Sequence, residues 1–297
     1  MKIVKALLTS SLIAAALLTG CSDSRKQSSE INVGDLTIDL NEASREYAQN
    51  KEFLKNYLFE TPKPINAMSV EIPTGNIVVE HSGDEKSGLA LRYKVFADSE
   101  DTLKNVDEHI GSVSEVKDNV LVIKLVEAQT REDLNTWLEK NIPDCRVEYD
   151  VYITVPEYVT DYRTKCDVGN ITLADMSGSF TVDANVGNIT FYDNEITGPS
   201  AIKCNTGNIS MNSNTYNADT DISAETGNIT FCLPLNGSGE ADISVKAETG
   251  NINVTGIKNY DVRDEKKKDT SHSLSISVES CNIDFAVDTG EIKIDKE

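Results

Sequence analysis

Histidine is nearly absent from this 297-residue chain, and His81, His109 and His272 stand far apart with no ligand-like spacing. A His-based zinc site or a Ser-His-Asp triad therefore has little to build on. Positive charge is also scarce: 28 Lys and Arg face 49 Asp and Glu, for a formal net charge of −21. Such a surface repels an extended phosphate backbone, which excludes nucleic acid as a partner. No Cys-x-x-Cys pair occurs, so neither a redox dithiol nor a thiolate metal centre is indicated, and no cofactor is implied. Aromatic residues make up 6% of the chain, few for stacking against sugars. What remains is ample: 39% hydrophobic content over this length suffices for one large or two ordinary folded domains.

The N-terminus carries Lys2 and Lys5, then Ala6, Leu7 and Leu8, and Leu12 through Leu18. The apolar stretch is interrupted by Thr9, Ser10 and Ser11 and ends by Gly20, short of the ~20 residues that span a bilayer core. It reads as a secretory signal over residues 1–20. Leu18-Thr19-Gly20-Cys21 resembles the lipobox of bacterial lipoproteins, which implies cleavage before Cys21 and lipidation of its thiol. Two or three acyl chains make an effectively permanent anchor. The expected location is extracytoplasmic, held to a bacterial membrane through Cys21. Residues 21–34, which include the run from Ser22 to Glu30 without an apolar residue, read as a flexible tether.

From about residue 166 the chain repeats. Gly-Asn-Ile occurs at 169–171, 187–189, 207–209, 227–229 and 250–252, at spacings of 18, 20, 20 and 23 residues. It returns as Cys281-Asn282-Ile283 and Gly290-Glu291-Ile292, with an early outlier at Gly75-Asn76-Ile77. An alternating apolar pair follows each step, as in Ile189 and Phe191, and another precedes it, as in Val182 and Ala184. Period two means strands with one buried face. Between the strands, Gly supplies positive φ and Asn tolerates it, so each step is a corner. The expected corner residues are Gly75, Asn76, Gly169, Asn170, Gly187, Asn188, Gly207, Asn208, Gly227, Asn228, Gly250, Asn251, Asn282 and Gly290. Two short strands and two corners per ~20 residues predict an all-β fold, a β-solenoid or right-handed β-helix-like stack over 166–297, with the asparagines forming an amide ladder. A meandering antiparallel sandwich is the alternative. The charged stretch Asp264 to Asp269 reads as a loop pushed out of one coil.

Residues 68–165 predict a less regular β region. Leu89 to Ala97 and Val147 to Val155 alternate, and Thr130 to Asp133 resembles a capping box that opens a short helix over 130–141 with Leu134, Trp137 and Leu138. Within 35–67, the apolar residues Ala43, Tyr47, Phe53, Leu54 and Leu58 suggest a capping helix over 41–59. Tyr152-Ile153-Thr154-Val155-Pro156, followed by Val168-Gly169-Asn170-Ile171-Thr172-Leu173 and the later coils, resembles the putative-adhesin β-strand-repeat family of bacterial surface proteins. The likeness covers roughly 68–297. It implies a right-handed β-helix-like fold and a cell-envelope location, and brings no ligand or catalytic residue with it.

Beyond Cys21, five cysteines remain: Cys145, Cys166, Cys204, Cys232 and Cys281. Cys166 and Cys204 sit two coils apart, ~10 Å at ~4.8 Å per coil, too far for a disulfide, and read as small core residues; Cys145 could reach Cys166. The acidic surplus lacks the paired Asp and multiple Gly of calcium-binding nonapeptides, so the corners read as structural stacking and no metal is assigned. The functional expectation is a lipid-anchored surface module without catalysis that binds an unknown protein or glycan. The alternatives are an envelope-stress or signalling accessory that contacts a membrane partner, and a carbohydrate-active β-helix enzyme, which would need a convergent carboxylate pair.

Overall fold

The computed structural model describes residues 30–33, 36–39, 47–60, 65–82, 86–233, 239–257, 260–278 and 281–295. The signal segment, Cys21 and most of the expected tether lie outside them. The end of that tether is strand β1 (Glu30–Val33), antiparallel to β2 (Leu36–Asp39) in a separate two-stranded sheet. In register, Ile31 is paired with Ile38 and Val33 with Leu36.

The chain continues through β3 (Gln49–Glu60), β4 (Ala67–Thr74), β5 (Asn76–Ser82), β6 (Lys86–Ala97), helix α1 (Glu100–His109), β7 (Ile110–Lys117), β8 (Val120–Glu127), helix α2 (Leu134–Asn141) and β9 (Arg146–Pro156). The repeat strands follow as β10 (Asp161–Val168), β11 (Ile171–Ala174), β12 (Ser177–Val186), β13 (Ile189–Tyr192), β14 (Glu195–Ile196), β15 (Ser200–Thr206), β16 (Ile209–Asn212), β17 (Thr215–Tyr216), β18 (Thr220–Thr226), β19 (Ile229–Cys232), β20 (Ala241–Thr249) and β21 (Ile252–Thr255). Strands β22 (Asp261–Lys267), β23 (His272–Val278), β24 (Cys281–Thr289) and β25 (Ile292–Ile294) end the described chain.

Among the described residues these strands form two large mixed sheets. The first runs β7-β8-β4-β10-β12-β15-β18-β20-β24-β23-β22, with β14 joined to β12 and β17 to β14; the second runs β3-β6-β9-β5-β11-β13-β16-β19-β21-β25. Every repeat places one strand in each sheet, and repeats pair in parallel rather than as the antiparallel hairpins of a sandwich. Ile171, Ile189, Ile209, Ile229, Ile252 and Ile292 stand in one register row, and Ala184, Cys204, Ala224 and Ala247 in another. The alternation read from sequence is the burial pattern. Phe180, Phe191, Tyr216, Phe231 and Phe285 are fully buried between the sheets, with ring centroids 5.2 Å apart for Phe180 and Phe191, 5.3 Å for Tyr216 and Phe231, and 5.9 Å for Phe231 and Phe285.

Gly75 is no outlier. β4 pairs with β10 and β5 with β11, both in parallel and in repeat register, so the first corner of the stack is Gly75-Asn76. The chain leaves after β5 for an excursion through β6, α1, β7, β8, α2 and β9, which extends both sheets, and returns at β10. Ser99 starts α1 by accepting the Thr102 amide, and Leu103 and Val106 are buried beneath it.

Four expectations are corrected. The stretch 41–59 contains no helix in its described part: β3 pairs with β6 along its whole length, and Leu54 and Leu58, whose four-residue spacing suggested a helical face, point outward from a strand. Helix α2 begins one turn later than expected, capped by Asp133, which accepts the Thr136 amide at 2.9 Å; Thr130 instead donates its hydroxyl to Glu127. Asn282 is not a corner, because Cys281 opens β24 opposite Ala241 and the Asn282 amide donates to Asp242. The stretch read as a loop is an antiparallel hairpin, β22 and β23, laid along β24.

Candidate interaction surface

The corner glycines adopt φ of +132° to +150° at positions 75, 169, 187, 207, 227, 250 and 290, a region closed to residues with a side chain. They also touch. A Cβ on Gly187 would lie 1.7 Å from the Gly169 carbonyl oxygen, and one on Gly207 1.7 Å from that of Gly187. Cys166 and Cys204 donate their thiols to the carbonyls of Gly75 and Gly187, each at 3.2 Å. Neither cysteine is in a disulfide, and nor is Cys145, Cys232 or Cys281; burial pushes the Cys166 and Cys204 thiols up to about 12.

The asparagines beside these glycines form a directional chain of hydrogen bonds. Asn76 Oδ1 accepts both the backbone and side-chain amides of Asn170; Asn170 Oδ1 accepts those of Asn188, Asn188 those of Asn208, and Asn208 those of Asn228. Asn228 Oδ1 then accepts the Asn251 amide and Asn251 Oδ1 the Glu291 amide, each at 2.9 Å. The bonds are therefore more than the amide-to-amide ladder expected: each side-chain oxygen also satisfies a backbone N–H of the next corner. At the other end Asn76 Nδ2 donates to Asp150 Oδ1 at 2.7 Å.

A second line of asparagines was missed in the sequence. Asn194 and Asn214 are buried; Asn194 Oδ1 accepts the Met176 amide and Asn214 Oδ1 the Asn194 amide, both at 3.0 Å. They follow Asp193 and Ser213 at φ of +52° and +56°. Their 20-residue separation was the available signal, but no glycine marks these corners.

Where the corner row meets the excursion, a cleft of about 250 Å³ opens, lined by Glu52, Asn76, Arg92, Lys94, Glu148, Asp150 and Asn170, among others. In register, Arg92 lies opposite Asp150 and Lys94 opposite Glu148. Beside it, Arg92 lies over the Tyr152 ring, and Lys94 and Arg146 lie over Phe96 at 5.0 and 4.1 Å. The cleft thus offers amide, carboxylate, ammonium and guanidinium groups beside aromatic faces, donors and acceptors suited to a polar ligand. Tyr93 lines it from within; burial and the Asp107 carboxylate that accepts its hydroxyl raise its pKa, so it stays protonated. Away from the cleft, His81 Nε2 lies 2.8 Å from the Tyr162 hydroxyl, and burial lowers the His81 pKa. Among the described residues no three His, Cys, Asp or Glu side chains gather as a metal would require, and no helix is long and apolar enough to cross a membrane.

Fold and site together define a β-rich protein of two mixed sheets with a polar corner edge and a cleft at its base. No protein-family model matches the chain, and no curated protein matches it. Among solved structures it is similar to a putative adhesin from Bacteroides fragilis NCTC 9343, with a TM-score of 0.43 and 17% identity over 82% of this chain and 97% of that one. It is also similar to a putative cell adhesion protein from Clostridium sporogenes ATCC 15579, with a TM-score of 0.36 and 12% identity over 84% of this chain and all of that one.

Proposed function

We propose that the protein is a lipid-anchored extracytoplasmic β-solenoid that works by binding rather than catalysis, an adhesin-like module presenting a rigid surface to a protein or glycan at the cell surface. The observation that carries this reading is the stacking of corners from Gly75 to Gly290, which holds surface groups at a fixed repeat of one strand spacing, ~4.8 Å. Such an array recognises an extended ligand with little ordering cost. The cleft at Asn76 and Asp150 is where such a ligand would find charged and aromatic contacts together. Lipidation at Cys21 rests on Leu18-Thr19-Gly20-Cys21.

The test uses the full-length protein in its producing cells, with a photoreactive residue placed in turn at Lys94, Tyr152 and Tyr192. The expected result is a discrete adduct with a surface protein or glycan from Lys94 or Tyr152. Cys21→Ser should abolish acyl labelling and release the protein from the membrane fraction. Release of reducing sugars from a glycan panel, lost in Asp150→Ala, would overturn the non-catalytic reading. A single inner-membrane protein captured from every position would replace the adhesin-like role with that of a signalling accessory.

A further inference from the structure

Sheet edges carry unpaired backbone groups, and proteins guard them with charge, brevity or cover. Among the described residues, three of the four end strands of the two large sheets are guarded. All seven residues of β22, Asp-Val-Arg-Asp-Glu-Lys-Lys, are exposed; β25 has three residues; β7 ends in exposed Glu115, Val116 and Lys117. The fourth, β3, differs. It is twelve residues long, and β6 is its one partner strand among the described residues. Leu54 and Leu58 on its outer face are 59% and 79% exposed. Phe53, Tyr57 and Phe59 on its inner face pack against the core but are only partly covered. Lys55, the charge nearest the centre of the strand, does not guard the edge: its ammonium turns inward to the carbonyls of Asp107 and Ile110 and lies 3.3 Å from the Asp107 carboxylate.

We propose that β3 is a self-association edge at which a second copy of this chain adds its own β3, antiparallel, about a two-fold axis through Asn56. The sequence of the strand selects both partner and register. With Asn56 opposite itself, Leu54 of one copy meets Leu58 of the other, Phe53 meets Phe59, and Lys55 meets Tyr57, so both faces of the joint match apolar with apolar. Centring on Leu54 instead sets Leu58 against Asn50 and Phe59 against Gln49. Centring on Lys55 sets like charges opposite each other. The joint merges the second sheets of two copies into one continuous sheet and covers the apolar groups that β3 exposes. A single strand pair falls below the ~1,200 Å² of a standard stable interface, so the association is concentration-dependent. The net charge of −21 and the Glu52–Glu60 pairs at the two ends of the joint oppose it, so added salt tightens it.

The test is cysteine crosslinking of the full-length protein in its own membrane under a mild oxidant, with sedimentation of the purified full-length protein over a range of concentration and salt. Asn56→Cys should give a disulfide-linked dimer, because the two Cα atoms would be ~4.5–5.5 Å apart. The unaltered chain and Asn50→Cys should give none. Leu58→Lys, at a site too exposed to affect folding, should remove the dimer from the Asn56→Cys background and from sedimentation. A monomer at every concentration with no Asn56→Cys adduct would overturn the proposal. So would equal crosslinking from Asn50→Cys, an adduct between Asn56→Cys and a different protein, or an intramolecular adduct with an added cysteine in residues 22–46.

Discussion

The contact between successive corner glycines makes a sharp quantitative claim. Replacing Gly207 by Ala places a Cβ 1.7 Å from the Gly187 carbonyl oxygen and 2.6 Å from its carbon, at a φ of +144°. Holding a residue with a side chain in that backbone region costs about 1–3 kcal/mol. Relieving the overlap needs a movement of more than about 1 Å, since non-bonded carbon and oxygen atoms pack above ~3 Å. That movement breaks the Gly207 amide bond to Thr226 at 2.9 Å and the Asn208 amide bond to Asn188 at 3.0 Å, each worth about 0.5–1.5 kcal/mol. The expected loss is about 2–6 kcal/mol, or on the order of 5–20 °C in Tm for a chain of this size. Two other variants calibrate it. Gly239→Ala meets the Asn217 amide oxygen at 2.9 Å, a side-chain end that can turn aside at the loss of its bond to the Gly239 amide, and should cost about 0.5–1.5 kcal/mol. Asn208→Ala, at an exposed corner where water can replace its oxygen, should cost about 0.5–1.5 kcal/mol. The assay is urea denaturation followed by circular dichroism for the strands and by the fluorescence of Trp137, which reports the excursion, because a stacked protein can unfold in parts. A Gly207→Ala protein within about 1 kcal/mol of its parent, or one no worse than Gly239→Ala, would refute the close-approach argument.

Further outcomes are expected. Phe231→Ala, which removes a ring packed on Tyr216 and Phe285, should cost about 3–5 kcal/mol in the same denaturation assay. Under native conditions at pH 8 a thiol reagent should leave Cys166 and Cys204 unmodified and react with them only on unfolding, since both are buried and protonated there; rapid native labelling of either would contradict their placement. Burial favours neutral His81 in the folded state. The unfolded chain therefore takes up this proton at higher pH, the stability that His81 confers is present above its ordinary pKa, and it is lost as pH falls towards the lowered folded value. His81→Gln should flatten that part of a stability–pH profile, as measured by denaturation midpoints, and an unchanged slope would remove His81 from it.

The glycine corners were legible because only Gly satisfies both a positive φ and contact with the carbonyl one coil below, so the repeat left a fixed residue at a fixed spacing. The opposite corners were not. There the left-handed position is held by Asp175, Asp193 and Ser213, and no one residue type marks them. β3 misled because its outward Leu54 and Leu58 copy a helical spacing, while its strand character comes from pairing with β6, whose residues lie 26 to 48 positions further along the chain. α1 was overlooked although Ser99 caps it, because its short apolar stripe of Leu103 and Val106 sits among charges. The cleft could not be read from sequence at all. Asp150 reaches Asn76 only because β9 pairs with β5, and nothing local to either residue records that neighbour.

The asparagine chain described above runs one way: every side-chain oxygen faces the following corner, and the first free amide hydrogen, on Asn76, ends on the Asp150 carboxylate. Each side-chain oxygen consequently bonds only the next corner, whatever the total number of corners. Duplicating one 20-residue unit, such as 207–226, would leave every other glycine-corner junction chemically unchanged. The molecule would lengthen by one strand spacing, ~4.8 Å. Reach is thus a quantity that this architecture can adjust in equal increments, independently of the cleft at its base.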